Sequence, residues 1–554
     1  MKGRRRKRST DANEMSTGGK KSDGKGNLFA LLFVLLALFI IEFDITVVNI
    51  ALPRFSKDLS ASATSLEWIV DAYTLPFTGL LLLAGYLGDR FGRRLILCVG
   101  LVGFATTSAL SGLSQTTGEL IASRTAMGVC AALVFPATLA IINVLFTDAR
   151  ERTKAMALWG ATIGAAIAAG PLVGGLLLEH HGWQSLFWIN VPLALVAFVG
   201  AVVQLPESAA KYVDPVDAVG IVLSVVAITS VVWGIIEAPR RGWTSYSTVV
   251  GILVGAVLLL AFMVWEKRSA YPIFNVDLFA NVRFSVCCFT ISVCYFLILG
   301  LVFLVVQYLQ IIKGYTALQA GVRTLPFSSA IILFSPMAVV ASRRAGLRAI
   351  SLAIGIGLPL LGVGMVLTYF ARVDSSYLQF VLPGMILAGA GVAIAQTPAT
   401  EEIMNSLPPD KAGAGSAIND VTRQFGGTLG VAILGSTQAT MYSDKLNSRL
   451  VDLGIPDDLR RRGESSIVAG IELVGQLPGK LHRAVIEAAR DSFTEGFNVT
   501  SSIGGAIAFV ATAIALLALR RSGREAGDGI PPWDGQRQAP TTHSADKVGT
   551  SEGS

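Results

Sequence analysis

The stretch "GYLGDRFGRRLIL", Gly85–Leu97, places one acid and three arginines in a glycine-broken segment between two long apolar runs. Similar runs of about twenty residues, the length of helix that crosses roughly 30 Å of hydrocarbon, recur throughout the chain. The sequence is 52% hydrophobic and only 15% charged, far from the balance typical of soluble proteins. Its apolar runs do not alternate as outer-membrane strands do. The sequence therefore predicts an all-α integral membrane protein.

The apolar runs predict fourteen transmembrane helices, at residues 28–52, 65–88, 94–113, 119–146, 154–178, 185–205, 217–237, 247–265, 284–312, 325–342, 347–370, 377–400, 412–438 and 498–520. Between the last two spans, residues 439–497 are too charged to cross a membrane and contain an amphipathic run, "KLHRAVIEAARDSF". This insert is expected on the membrane surface or in water.

The chain begins and ends with polar tails, residues 1–27 and 521–554, whose composition is typical of disorder. Basic residues mark the cytoplasmic side of a membrane protein. An even number of helices between two basic ends therefore predicts that both termini are cytoplasmic and that the insert is extracytoplasmic. The basic run "PRRG" near residue 239 falls on the outer side and argues against this orientation.

Sequence patterns that are typical of several other functions are incomplete in this chain or match only by letters. "GKKSDGKG" at 19–26 ends in Gly, where a phosphate-binding loop needs Lys-Ser or Lys-Thr. "GTSEG" at 549–553 matches a hydrolase nucleophile motif only by letters. The five cysteines have no C-x-x-C spacing, and His180 and His181 are adjacent, so neither a disulfide framework nor a metal site is predicted. The net charge of +7 is assigned to inner loops and tails that face anionic lipid, rather than to nucleic-acid binding.

Without an ATP site, transport would draw its energy from ions, and the candidate carriers are charges inside the predicted spans. These charged residues are Glu42, Asp44, Asp71, Arg124, Asp420 and Arg423. At about 1.5 Å of rise per residue, the first four lie at similar depth in the outer half of the membrane. A carboxylate at that depth beside Arg124 can change its protonation as water or substrate enters, so these four are candidates for proton coupling.

Structural roles are the alternative for each of these charges. Arg124 can pair with one acid solely to neutralise buried charge. Glu42 and Asp44, two residues apart on a helix, point in different directions, so one of them can serve structure alone. Asp420 and Arg423, three residues apart on one helix face, can neutralise each other, and we favour that account of them slightly over a coupling role in the second half.

Several of these stretches resemble motifs of the major facilitator superfamily. "GYLGDRFGRR" resembles the signature loop between the second and third helices, with matches at Gly85, Gly88, Asp89, Arg90, Gly92, Arg93 and Arg94. "FDITVVNIALP", 43–53, is similar to the first-helix motif of the fourteen-helix drug:proton antiporter branch, with Asp44 at its acidic position and Phe43 in place of the usual leucine.

Four further stretches carry the same resemblance. "LIASRTAMGVCAALVFPA" resembles the fourth-helix motif with its membrane arginine, here Arg124. "GATIGAAIAAGPLVGG" resembles the antiporter motif of the fifth helix, with Gly164, Gly170, Pro171, Gly174 and Gly175 in register. "EWIVDAYTL" and "GAGSAINDVTRQFGGTLGVAI" look like the branch's second and thirteenth helices.

The resemblance implies a major facilitator fold of two six-helix bundles, 28–205 and 284–520, with two added transmembrane helices within 206–283. It also implies a monomeric, proton-coupled multidrug efflux transporter of the cell membrane. Its substrates would be amphipathic, often cationic small molecules such as antibiotics and dyes, with the proton as coupling ion and no cofactor. A lipid or metabolite exporter and an uptake symporter of the same fold are alternatives. An integral membrane enzyme is disfavoured, because no His, Cys or carboxylate cluster has catalytic spacing.

In such transporters the signature loop acts as a clasp. Asp89 is expected to reach a neighbouring helix terminus or an arginine, while the basic residues stay in water or headgroups. An ordinary positive-inside loop is the alternative, but it explains the arginines and not Asp89 or the glycines. In the fifth helix, glycines allow close helix contact and Pro171 bends the span, which suits a seal between the bundles. The second-half loop "ASRRAGLR" lacks the acid, so any clasp there should be weaker.

Overall fold

The computed structural model describes residues 24–209, 215, 217–270, 276–345, 349–405, 412–472 and 477–527. Those residues contain no strand. The helices are α1 (Gly24–Asp58), α2 (Ala63–Phe91), α3 (Arg93–Leu113), α4 (Thr117–Leu145), α5 (Ala149–His180), α6 (Ser185–Trp188), α7 (Asn190–Gln204), α8 (Ala218–Arg241), α9 (Tyr246–Arg268), α10 (Val282–Gln307), α11 (Ala317–Ala345), α12 (Ala349–Thr368), α13 (Val381–Asn405), α14 (Ala412–Asp452), α15 (Asp457–Glu464), α16 (Ile467–Glu472) and α17 (Gly479–Gly527). A 3₁₀ turn, Val276–Ala280, precedes α10, and a π-helical turn, Tyr308–Ile312, continues it.

The predicted all-α membrane fold is confirmed. In the described parts of the chain, twelve helical spans are long and apolar enough to cross a membrane, with α6 and α7 counted as one span. Helix α2 bends by 53° between Ala63–Leu81 and Leu83–Phe91 and makes a thirteenth. The more polar α14 lies at the remaining predicted span, 412–438. Of the two predicted tails, 1–27 and 521–554, residues 1–23 and 528–554 lie outside the described residues.

The insert predicted at 439–497 is not a separate unit, because it is partly continuous with two membrane helices. Helix α14 continues through its first part to Asp452, and α17 begins at Gly479, so much of the insert extends two membrane helices. The amphipathic run at the start of α17 buries one face, Val485, Ala489 and Phe493. Helix α17 packs against α14, where the Tyr442 ring meets the Phe493 ring, and it also contacts α16, so this face has a protein partner.

The helices pack as two groups with an added pair. Helices α1 to α7 contact one another, and α10 to α14 contact one another and α17. Helices α8 and α9 pack together, and α8 lies against both α2 and α14. The groups meet where α5 contacts α11 and where α2 contacts α14. We call the side on which α1 begins the terminal side, and the side on which α1 ends and α2 begins the distal side.

Candidate functional site

A cavity of about 410 Å³ lies between the two helix groups. Its lining comes from α1, α4, α5, α10, α11, α13 and α14, and it is mostly apolar and aromatic, with a polar end. The apolar part includes Met156, Trp159, Tyr295, Phe327, Met385 and Met404. The polar end is formed by Gln396, Thr400, Asn419, Asp420 and Arg423. This volume and lining are typical of a site for a small organic molecule.

Asp420 and Arg423 face this cavity rather than only each other. The Arg423 Nη1 and Asp420 Oδ1 atoms are 4.0 Å apart, the outer limit of an ion pair. The Arg423 guanidinium also lies 5.2 Å from the centre of the Tyr295 ring. Glu42, on α1 of the other helix group, is buried and lies within electrostatic range of both Asp420 and Arg423. These three charges therefore form a cluster that crosses between the groups.

Asp44 and Arg124 form an ion pair away from the cavity lining. Their side chains are 0% and 1% exposed, respectively. Asn190 Nδ2 donates to the other carboxylate oxygen of Asp44 at 2.9 Å, and Arg124 Nε donates to the Ile69 carbonyl at 3.1 Å. The Tyr73 ring lies 4.3 Å from the guanidinium. Each charge is thus compensated locally, which is the structural role that the sequence left open for Arg124.

Asp71 does not join this pair, although the sequence placed it at the same depth. It is fully buried on α2 and accepts a hydrogen bond from Thr74 Oγ1 at 3.2 Å. One turn earlier, Glu67 is also buried and accepts from Ser436 Oγ on α14 at 2.7 Å. Glu67 was not predicted, because it lies only two residues inside the predicted span 65–88. Asn190 was not predicted either, because it is neutral and belongs to no recognisable motif.

Two acids with separate partners lie at the turn between α2 and α3. Asp89 Oδ1 accepts from Arg93 Nε at 3.0 Å and from Nη2 at 2.8 Å, so the acid meets an arginine of its own loop. The neighbouring helix terminus is reached by Glu207 instead. Its carboxylate accepts from the backbone N–H groups of Arg94 at 3.1 Å and Leu95 at 3.2 Å, at the start of α3. Glu207, which follows α7, was not predicted.

The other residues of the signature loop have distinct positions. Arg90 Nη1 donates to Tyr86 Oη at 2.7 Å on the exposed side of α2. Gly92 has φ of 115°, and an added Cβ would lie 2.6 Å from the Glu207 carboxylate, so both the backbone and the space favour glycine. Gly85 has open space around it and Gly88 has only Arg93 nearby. Only Gly92, of the three, has a steric requirement here.

The fifth-helix motif lies on two contacts of α5. At Gly170 and Gly174, an added Cβ would collide with residues of α1, including Val47. At Gly175, it would lie 2.6 Å from the Leu318 Cα on α11. Gly164 and Pro171 line the central cavity. Close packing therefore joins α5 to α1 within one group and, on the distal side, to α11 of the other.

Comparisons with known proteins agree on one family. A sequence model described as the Major Facilitator Superfamily matches residues 34–431. The tetracenomycin C resistance and export protein of Streptomyces glaucescens is 33% identical over 499 residues, covering 88% of this chain and 90% of that protein. The multidrug resistance protein Stp of Mycobacterium tuberculosis is 32% identical over 479 residues, covering 85% and 88% of the two chains.

Solved structures of transporters resemble this one. One is the crystal structure of a bacterial homologue of the human lysosomal transporter Spinster, in an inward-facing and unoccupied conformation. It superposes with a TM-score of 0.61 at 15% identity and covers 90% of this chain and 99% of that one. At this level of identity, the likeness establishes the fold.

Proposed function

Because this chain belongs to the major facilitator superfamily, we propose that it is a proton-coupled multidrug efflux transporter of the cell membrane. The family makes it a multi-pass membrane transporter and not an enzyme. Its relatives named above are a resistance and export protein and a multidrug resistance protein. The proposed substrates are amphipathic, often cationic small molecules, and the proposed coupling ion is the proton, with no cofactor and no nucleic-acid partner.

The central cavity is the observation that carries this proposal. Its apolar and aromatic wall suits the hydrophobic part of an amphipathic molecule, and its charged end suits a polar group. Residues on α5 and α13 that line it, such as Met156 and Met404, lie near the terminal side of their helices. With both termini in the cytoplasm, as we propose, a compound would enter this conformation from the cytoplasm.

Contacts on the distal side support the idea of alternating access. There Gln310 Nε2 donates to the Ile50 carbonyl at 2.8 Å, joining α1 to the turn after α10. The α5–α11 contact at Gly175 and the Glu67–Ser436 hydrogen bond lie on the same side. We call these contacts the distal seam. We propose that the protein is a monomer whose two bundles, 28–205 and 284–520, rock about the cavity, and that the distal seam opens to release the compound.

Transport into everted membrane vesicles with an acidic lumen tests the proposal. Vesicles that contain the protein should accumulate ethidium or tetracenomycin C and release luminal protons as they do so. Vesicles without the protein, and vesicles whose gradient has been collapsed, are the controls. Accumulation that is unchanged when the pH gradient is removed would refute proton coupling. Failure to accumulate any compound of a broad panel would refute export.

A further inference from the structure

A continuous polar face runs along α2 where it packs against α14. On α2 the polar residues recur at helical spacing on one face and are all buried: Glu67, Asp71, Thr74 and Thr78. The facing residues on α14 are also buried and are spaced by four or eight positions: Asp420, Gln424, Thr428 and Ser436. Polar side chains are costly to bury between membrane helices, so these two facing rows, of which the one on α14 is interrupted at Ala432, are candidates for a functional role.

Hydrogen bonds connect the two helices along this face. At the distal end, Ser436 Oγ donates to Glu67 Oε2 at 2.7 Å. Further in, Thr428 Oγ1 donates to Thr74 Oγ1 at 2.9 Å, and Thr74 Oγ1 donates to Asp71 Oδ1 at 3.2 Å. The row on α14 continues to Asp420, which lines the central cavity. At about 1.5 Å of rise per residue, Ser436 and Asp420 are about 24 Å apart along the helix.

Among the residues that the structure describes, no lysine or arginine lines the site of Glu67. Its side chain, 1% exposed, borders a cavity of about 30 Å³ between the two helix groups. The titratable groups around it are Asp71 on its own helix, Glu237 on α8 and Tyr442 on α14. Glu237 is itself paired with two arginines that follow it on α8. Enclosing a charged carboxylate here would be costly, whereas a protonated one is neutral.

Two acceptor atoms at this small cavity also favour a protonated Glu67. Glu67 Oε1 and Gln438 Oε1 both lack a hydrogen-bond partner among the described protein atoms, and both residues line the cavity. The Gln438 amide is oriented by its Nε2 group, which donates to the Phe493 carbonyl at 3.0 Å. Both oxygens can only accept hydrogen bonds, and a protonated Glu67 would bring a donor to this cavity.

We propose that Glu67 is a proton-binding site of the transport cycle, with Asp71 as the next proton acceptor along α2. The inference rests on the proposed antiport function. When the distal seam opens, the bond to Ser436 breaks, because its partners belong to different helix groups, and Glu67 meets distal water. Binding a proton then makes closure favourable, since the neutral carboxyl group can be buried without a counter-ion. The proton is afterwards passed to Asp71 and leaves through the central cavity.

Proton and compound fluxes in proteoliposomes test this role. Wild-type protein should move ethidium and protons in a fixed ratio. We expect Glu67→Gln to retain ethidium exchange at equal pH on both sides while its proton flux per ethidium falls at least severalfold. Glu67→Asp should restore that flux. The matched control is Glu237→Gln, a nearby acid on α8 that does not belong to the polar face, and its ratio should equal that of the wild type.

Three outcomes separate the explanations. If the wild type moves ethidium without protons, the antiport proposal itself fails. If the wild type is coupled and Glu67→Gln has the same ratio, only the role of Glu67 is overturned. If Glu67→Gln loses exchange altogether, Ser436→Ala decides: the same loss in that variant makes Glu67 a packing contact and overturns the proposal, whereas normal exchange supports an obligatory proton carrier.

A second measurement does not depend on a folded variant. A hydrophobic carbodiimide reacts with a protonated carboxyl group, which adds across the reagent to give a stable N-acylurea detectable by mass spectrometry. In the wild-type protein, Glu67 should be modified, and less so as the pH rises. Modification of Asp71 or Glu42 with none at Glu67 over the same pH range would contradict the proposal.

Discussion

Asp44→Asn removes the charge that compensates Arg124 while keeping nearly the same side-chain shape. Arg124 would remain buried, and its contacts among the described residues would include the Ile69 carbonyl, the Tyr73 ring and a neutral amide. Removing one partner of a buried ion pair costs about 3–5 kcal/mol. Because the asparagine oxygen can still accept a hydrogen bond from the guanidinium, we expect the lower end of that range. A loss of about 3 kcal/mol corresponds to a folded-to-unfolded ratio that is lower by roughly a hundredfold.

The assay is denaturant unfolding of purified protein in detergent, with abundance in the membrane measured beside it. The double variant Asp44→Asn/Arg124→Gln removes both charges and should recover most of the lost stability, since no unpaired charge remains. Asp71→Asn is the matched control. Asp71 is as deeply buried but accepts its hydrogen bond from a threonine, so its replacement should cost much less.

Two results would contradict this account of the ion pair. One is an Asp44→Asn protein that unfolds at the wild-type denaturant concentration but no longer concentrates substrate against a gradient. That result would support Asp44 as the proton carrier. The other is a double variant that is as unstable as Asp44→Asn alone, which would show that Asp44 stabilises the helices through a partner other than Arg124, such as Asn190.

The remaining predictions concern the clasp, the distal seam and the cavity. Glu207→Gln should lower the turnover of purified protein, because α3 loses the charge at its N-terminus; wild-type turnover at matched protein would exclude a role for that contact. Gly175→Val should force α5 away from Leu318 and make liposomes leaky to protons, whereas Gly164→Ala, where an added Cβ meets open space, should not. Equal leak in the two variants would show that the α5–α11 contact does not form the seal. Arg423→Gln should lower KM for ethidium severalfold in transport assays, because a cation is removed from the polar end of the cavity; an unchanged KM would place the ethidium site elsewhere.

The helices were predictable from the sequence because the bilayer fixes their length and requires an apolar surface. The helical extensions into residues 439–497 were not. Their buried face, Val485, Ala489 and Phe493, has the spacing of an amphipathic helix, which suits a membrane surface as well as a protein partner. Only the packing of α14 and α16 against α17 decides between the two.

The depth of the ion pair in the membrane was predictable, but the acid that pairs with Arg124 was not. Counting residues along each span placed Asp44, Asp71 and Arg124 at one level, since helical rise is constant. Which acid meets the arginine depends on how each helix is rotated about its axis, and that is set by packing with neighbouring helices. Glu67 was missed for another reason: at the end of a predicted span an acid is expected to meet water, and here the second helix group covers it.

The placement of each charge relative to the two helix groups suggests what it does. Asp44, Arg124 and Asn190 all belong to one group, so their contacts can persist unchanged when the groups move against each other. The Glu67–Ser436 hydrogen bond joins different groups and must break when the distal seam opens. A carboxylate can couple protonation to a conformational change only if its surroundings differ between the two states. The motif residue Asp44 therefore suits a structural role within its group, and the measurable consequence of losing it is instability. For Glu67, whose partner lies across the seam, the consequence should instead be transport that no longer moves protons.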